Sequence, residues 1–409
     1  MKNKTHHSMI FISFISTNKT SVFLLFLCAF AGCSTVQKTV KGQLWEMHVI
    51  DSTLYGADGI RAGFFNKDKM IDMISGGEEK GVTRVYINKG ENLFEMIEFN
   101  SPDVEDAIFT DIDKDGKMDV FTLSEGKTRA IAHHFLDETM KWKIKVIEPA
   151  NSYQWMYAAV ADLNNDGTNE IVVGGKGENG MIGWLQLKTD KYGNINWSLH
   201  KIASAGWIMS IECLDMNNDG AIDILVSDRN GTNTGVKWFK NPVEDIVQNN
   251  WLEIPVGLNG KEPMFLTTID FNDDGLMDII ATEIKEGVYY FENQNKNGLT
   301  WKKNLIFQYP SFAGKRGKSV AVWDINNDKK LDIITSYAEA ENQHGVLLSK
   351  RKGKQWKHYT ISGKTGIKYD KILLHDMDSD GDMDIVITEE ATNETGLGVV
   401  WYENPLKKN

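Results

Sequence analysis

The chain is poor in cysteine, short of basic charge and without a long apolar run. Three cysteines in 409 residues cannot build a disulfide framework. Acidic side chains outnumber basic ones 57 to 45, a net charge of −12, which argues against broad nucleic-acid binding because that needs a basic face. The stretch from Val22 to Phe30 is too short to cross a bilayer as a stable helix, and no later segment can span one. A phosphate loop, a dinucleotide fingerprint and a serine elbow are also missing, so phosphoryl transfer, redox and serine-hydrolase chemistry find no support. What is present is ordinary for a globular chain, with 41% apolar and 25% charged residues, which excludes wholesale disorder and a fibrous design.

The first 33 residues read as an export signal. Lys2, Lys4 and Lys19 precede the apolar stretch, which ends in Ala31-Gly32-Cys33. That ending resembles a bacterial lipobox, with Phe30 in a place usually held by a smaller residue. The resemblance implies lipidation of Cys33 and anchoring at the outer membrane in the envelope of a Gram-negative bacterium, facing the periplasm, with no other membrane attachment. Cleavage removes Cys28 and leaves Cys213 as a lone thiol in an apolar run. Residues 34–43 then form a short linker, 44–405 the folded domain and 406–409 a tail.

Internal repeats decide the architecture. Six segments share one pattern, starting at Asp111, Asp162, Asp215, Asp270, Asp324 and Asp376, at spacings of 51, 53, 55, 54 and 52 residues. A degenerate copy runs from Phe64 to Asp72. Each copy follows a small apolar run and precedes a β-branched one, such as Ile171-Val172-Val173. An aromatic run comes next, such as Val236-Lys237-Trp238-Phe239, and a fourth often opens with tryptophan (Trp142, Trp197, Trp251, Trp301, Trp356). Four short strands per repeat of about fifty residues make a propeller blade. The last repeat stops after its third strand at Trp401-Tyr402, whereas the domain begins with an orphan fourth-type strand, Leu44 to Ile50. The expected fold is therefore all-β, a seven-bladed β-propeller closed by the N-terminal strand at the outer edge of the last blade.

These repeats resemble the FG-GAP/VCBS family, whose seven-copy members form seven-bladed propellers with calcium in the Asp-rich loops. The resemblance covers residues 44 to 405. It implies several structural Ca2+ ions, and the loops suit them, because calcium takes six to eight hard oxygen ligands. Positions one, three, five and nine supply Asp111, Asp113, Asp115 and Asp119; Asp162, Asn164, Asp166 and Glu170; Asp215, Asn217, Asp219 and Asp223; Asp270, Asn272, Asp274 and Asp278; and Asp376, Asp378, Asp380 and Asp384. Lys329 stands where the other loops have glycine, leaving the Asp324–Asp332 loop open to question, and the Phe64–Asp72 loop is expected to be empty.

The Asp loops join first to second strands and lie on one face. Function is expected on the other, where the second-to-third and fourth-to-first connections surround the funnel. Tyr153, Trp155, Tyr157 and Trp207 are the candidate substrate-stacking residues. His344, Tyr337, Arg229, Arg316, Lys318 and Tyr369 are the candidate catalytic set, with His344 moving the proton. His133 and His134 replace an aromatic pair in a third strand and read as core. Aromatic rings among cations suit an acidic or sulfated oligosaccharide. At the level of architecture the chain also resembles the propeller domain of aldos-2-ulose dehydratase and propeller-type polysaccharide lyases, which implies elimination chemistry by a monomeric carbon–oxygen lyase. The alternative is a non-catalytic lipoprotein module that binds glycan or protein.

Overall fold

The computed structural model describes residues 44–189, 195–248, 250–390 and 395–406. The export signal with Cys28 and Cys33, the 34–43 linker and the last residues of the tail lie outside them. Seven four-stranded antiparallel sheets follow one another along the chain. Their innermost strands are Ala57–Gly63, Val104–Thr110, Gln154–Ala161, Ile208–Leu214, Pro263–Ile269, Arg316–Trp323 and Tyr369–His375. Each packs beside the next and the last beside the first, so the ring closes. Closure is the expected one: Glu46–Asp51 pairs with Gly398–Glu403 at the outer edge of the seventh sheet, which leaves no open ring edge.

Burial follows position in the blade. Second strands such as Asp119–Ser124, Asp223–Asp228 and Asp384–Glu389 are buried along their whole length, because neighbouring blades cover both faces. Their β-branched content fits that environment. The aromatic third-strand positions fill the seams between blades, with Trp184, Trp238 and Trp401 fully buried. Fourth strands face solvent, as in Trp142–Val146. Among the described residues no helix is long and apolar enough to cross a membrane.

The Asp loops repeat one hydrogen-bond scheme. The first aspartate accepts the N–H of position six, as in Gly116 N–H to Asp111 at 3.0 Å and Gly167 N–H to Asp162 at 2.7 Å. The acid at position nine is buried and ties the loop to the blade. Asp223 accepts from Met216 N–H at 2.9 Å and Asn241 N–H at 2.7 Å, and Asp384 from Met377 and Asn404, both at 2.8 Å. In the sixth blade Lys350 lies 3.5 Å from the equivalent Asp332. Lys329 holds the left-handed turn at φ 65°, and its N–H still reaches Asp324 at 2.6 Å, so this loop keeps the shape of its glycine-bearing relatives.

Every innermost strand is irregular near the face opposite the Asp loops. Pairing with the second strand shifts between Asp58 and Arg61, Val104 and Asp106, Trp155 and Tyr157, Ile208 and Ser210, Pro263 and Leu266, Gly317 and Val320, and Tyr369 and Ile372. A bulge re-aims the side chain that it releases from the ladder. Seven bulges at one level build a ring at the mouth of the channel.

Candidate functional site

The bulges present Gly59, Glu105, Met156, Met209, Phe265, Lys318 and Asp370, which line a recess of about 30 Å³. The ring is two-sided: Met156, Met209 and Phe265 form an apolar arc on blades three to five, and Lys318, Asp370 and Glu105 a charged arc on blades six, seven and two. Lys318 lies 3.3 Å from Asp370 and 4.0 Å from Glu390, and Lys368 also pairs with Glu390. Asp58 and Asp370 are hydrogen-bonded carboxyls. Burial and then the nearby Glu105 push Asp58 well above the usual carboxylate range. Burial is the largest influence on Asp370 too, but Lys318, the hydrogen bond from Asp58 and Lys368 together outweigh it and hold Asp370 low, so the proton stays on Asp58.

Glu105 is pushed up to about 8, first by burial and then by Glu125, against the opposing pull of Lys176. An unfolded glutamate loses its proton near pH 4.3, whereas folded Glu105 keeps it until about pH 8. The stabilisation is full below the unfolded value and is lost as pH rises through the folded one. Melting midpoints are therefore expected to fall between pH 5 and pH 8, and Glu105→Gln should flatten that fall. A variant with the wild-type slope would remove Glu105 as the source.

Deeper in the channel, Tyr157 accepts from Arg61 Nη1 at 2.6 Å and from Lys371 Nζ at 2.7 Å. Arg61 is fixed by Asp106 at 2.5 Å and Ala158 O at 3.1 Å. On the outer side a cleft of about 290 Å³ is lined by Trp207, Arg229, Asn230, Thr234, Lys261 and Glu262 among others. The ring of Trp207 has Lys176 and Arg229 over it, each 4.1 Å from its centroid. Its buried Nε1 has no hydrogen-bond partner among the described residues. Lys176 is paired with Glu125. Arg229 instead lies against sulfur, 3.8 Å from Met209 and 3.7 Å from Met264, and has no carboxylate at ion-pair distance among the described residues. Burial and then the charge of Arg316 lower its affinity for its proton.

The structure separates the sequence-predicted residues. Trp155, Tyr337 and Tyr369, expected on the rim, are fully buried. Trp155 Nε1 donates to Ala150 O at 2.7 Å, Tyr337 accepts from Thr335 Oγ1 at 2.9 Å, and Tyr369 donates to Thr365 O at 2.7 Å. Bonded to internal groups, all three rings lie in the core and not on the rim. Tyr153 is half-buried and packs on Trp155. His344 sits at the outer side of blade six, where Nδ1 meets Thr360 Oγ1 at 2.7 Å and the ring abuts Phe312. Arg316 faces Glu339 at 3.5 Å and Lys318 belongs to the bulge ring, so the expected catalytic set does not converge.

His133 and His134 are core, as expected. The first stacks on Phe121 and lies 3.1 Å from Asp119, and the second contacts Thr122 and Phe99. Glu105, Asp106, Glu212, Asp370 and Glu390 were not singled out. For the first four the signal is a charged residue inside a short inner strand, whereas Glu390 follows a second strand and carries no such mark.

On the opposite face, carboxylate oxygens of Asp111, Asp113 and Asp115 lie within 4.8 Å of one another, as do those of Asp376, Asp378 and Asp384. Asp111 Oδ1 is buried without a hydrogen-bond partner among the described residues. This donor set fits a hard divalent cation. Asp382 adds an acid to the last loop that the spacing argument passed over; its Oδ1 is likewise buried and unpartnered.

Comparison with known proteins agrees with this geometry. The FG-GAP-like repeat family matches residues 111–173, 162–226 and 270–335. A T-cell immunomodulatory protein homolog of Plasmodium falciparum (isolate 3D7) is 27% identical over 224 residues, 46% of this chain and 30% of that protein. Its counterpart in Plasmodium yoelii yoelii is 23% identical over 218 residues, 44% of this chain and 30% of that protein. The chain thus spans about 30% of the length of these relatives. Among solved structures, a catalytically inactive virginiamycin B lyase from Staphylococcus aureus, solved with quinupristin, superposes with a TM-score of 0.53 at 13% identity. The match covers 87% of this chain and 97% of that one, and shows a shared fold. The chain is a seven-bladed β-propeller in which residues 111–226 and 270–335 match FG-GAP-like repeats.

Proposed function

We propose that this propeller captures an anionic ligand, an acidic or sulfated oligosaccharide, in the cleft beside Trp207, with structural calcium in its Asp loops. Arg229 carries the reading. A partly buried cation with no carboxylate at ion-pair distance is costly; here burial and Arg316 together outweigh the more distant charges of Glu262, Glu105 and Asp370. An anion supplied by a ligand relieves both. The guanidinium carbon lies 4.1 Å from the centroid of the Trp207 ring, and a guanidinium can make a two-pronged contact with carboxylate or sulfate. Asn230 and Thr234 add hydrogen-bonding groups for sugar hydroxyls, and the cleft sits near the lower end of ligand-pocket sizes.

Export, lipid attachment at Cys33, a periplasm-facing position and a monomeric state complete the proposal, and rest on the N-terminal sequence and the closed ring. Binding is favoured over elimination as the primary activity because His344, the residue selected for proton transfer, stands apart from Arg229 on another blade.

The test is titration calorimetry with uronate-rich and sulfated oligosaccharides. Loss of one charge-assisted contact is worth about 1.5–3 kcal/mol, so Arg229→Gln should weaken binding about 10- to 100-fold with an unchanged melting midpoint. Full affinity in that variant would sink the assignment.

A further inference from the structure

Each Asp loop is faced by one residue from the third strand of its blade. Pairing sets Ile224 opposite Phe239, Ile279 opposite Phe291, Ile333 opposite Ser349 and Ile385 opposite Tyr402. One residue earlier in the second strand stands the acid at position nine, and one residue later in the third stands its counterpart. The pairs are Asp223 with Lys240, Asp278 with Glu292, Asp332 with Lys350 and Asp384 with Glu403. Blades five and seven therefore bring a further carboxylate to the loop, and blades four and six a cation. The two lysines behave differently. Lys240 is 41% exposed and lies 3.1 Å from Asp219 at position five, while Asp223 keeps its two backbone N–H bonds, so this ammonium is free to swing into water when an ion enters. Lys350 is only 17% exposed and lies 3.5 Å from the buried Asp332. Asp332 Oδ2 has no hydrogen-bond partner, and among the described residues Asp332 is the one acid at position nine that takes no backbone N–H, whereas the other six each accept at least one. Asn241, Asn293 and Asn404, next along the third strand, give that N–H in blades four, five and seven; the sixth blade has Arg351 there. Within the loop Lys329 and Lys330 are exposed, so three lysines meet the three carboxylates of Asp324, Asp328 and Asp332. The seventh loop carries five aspartates and no base.

We propose that the sixth Asp loop takes no calcium and that the Lys350 ammonium is its resident cation, leaving five calcium loops and one blade that holds its shape without metal. The inference rests on structural calcium in the other loops. Backbone shape does not separate the sixth loop from them, because Lys329 N–H still reaches Asp324 at 2.6 Å. Charge does. Calcium needs six to eight oxygen ligands, and in this loop an ammonium already stands against the acid that would close the cage. Both groups are largely shielded from water, so salt screens their attraction little, and the same ammonium repels an entering divalent ion. Calcium could enter only by driving Lys350 off a buried acid that has no backbone N–H to fall back on. Removing one partner of such a pair is strongly destabilising, whereas Lys240 can leave Asp219 at the surface at little cost. A lysine supplies one positive charge where calcium supplies two, but it never dissociates. Blade six carries Arg316 and Lys318, so the cations that it gives to the mouth of the channel keep their support when calcium is scarce.

The test uses the full chain, with calcium per chain measured by elemental mass spectrometry and amide hydrogen exchange followed loop by loop in calcium and in EDTA. Wild-type protein should hold five ions. EDTA should speed exchange about tenfold or more at 215–223, 270–278 and 376–384, and by less than about twofold at 324–332. Lys350→Met should make 324–332 exchange about tenfold faster in EDTA. Where that variant does not fold, Lys329→Gly combined with Lys350→Glu copies the seventh blade, and should bind a sixth ion and make protection at 324–332 depend on calcium. Six ions in wild type, deprotection of 324–332 by EDTA, or a double variant that still holds five ions overturns the proposal. Absence of calcium from every loop sinks the calcium reading instead. Exchange in Lys350→Met then still decides the lysine, because a wild-type rate at 324–332 would mean that Lys350 does not hold the loop.

Discussion

Removing calcium with excess EDTA is expected to lower the melting midpoint on the order of 10 °C or more, with recovery when calcium is restored. The argument starts from repulsion. In the Asp111 loop three carboxylates place oxygens within 4.8 Å of one another, and Asp111 Oδ1 is buried without a partner. At Asp162, Asp215, Asp270 and Asp376 the first aspartate accepts the glycine N–H through Oδ2 and the N–H of position five through Oδ1, and each carboxylate oxygen keeps further acceptor capacity for an ion. An ion that binds only the folded loop adds about 2.7 kcal/mol at a hundred times its Kd. Each kcal/mol moves the midpoint of a large domain by roughly 2 °C, so several sites together give the stated fall. Lys117, now 2.5 Å from Asp115, must swing aside when its loop is loaded. Differential scanning fluorimetry with calcium, with EDTA and after readdition measures the effect. An unchanged midpoint in EDTA would reduce the loops to self-sufficient hydrogen-bonded turns.

Legibility in the sequence followed the range of the interactions. The Asp loops and aromatic third strands are local patterns repeated about every fifty residues, so blade count, strand order and the closing strand could be read directly. Bulges leave no such mark, because they come from bending each inner strand around the channel, a consequence of closure rather than of any one segment. Glu105 and Asp370 therefore read as ordinary strand residues, although the bulges turn them into the mouth. Trp155, Tyr337 and Tyr369 failed in the opposite sense. Their neighbours in sequence are polar and loop-like, but their hydroxyl and indole groups satisfy internal carbonyls and hydroxyls, and rings so anchored belong to the core. Tyr157 and Trp207 survived as channel and cleft residues because both touch cations from neighbouring strands or blades, which spacing within one repeat cannot show.

Replacing Asp51 by alanine is expected to cost about 1–3 kcal/mol, the range for leaving buried hydrogen-bonding groups unsatisfied, because Arg84 keeps Glu98 as a counter-ion at 2.7 Å. Asp51 ends the strand that closes the ring. One oxygen takes the N–H and hydroxyl of Thr53, both at 2.8 Å. The other takes Arg84 Nη1 at 2.7 Å and Tyr86 hydroxyl at 2.8 Å, both from the third strand of blade one. One carboxylate thus joins the last blade to the first, at the seam where the chain's beginning meets its end. The strand itself is thinly covered: Val49 is 53% exposed, and His48 relies on stacking against Trp401 and a bond to Glu403. Burial, the largest influence on Asp51, raises its affinity for a proton, but Arg84, Thr53 and Tyr86 together hold it below the usual carboxylate range. Its contribution is therefore complete at neutral pH and is lost as pH falls through that lowered value. Asp51→Asn, which keeps one acceptor, should fall between wild type and alanine. Urea denaturation at pH 7 and pH 3 tests both claims. A wild-type midpoint for Asp51→Ala at pH 7 would mean that strand pairing alone holds the seam.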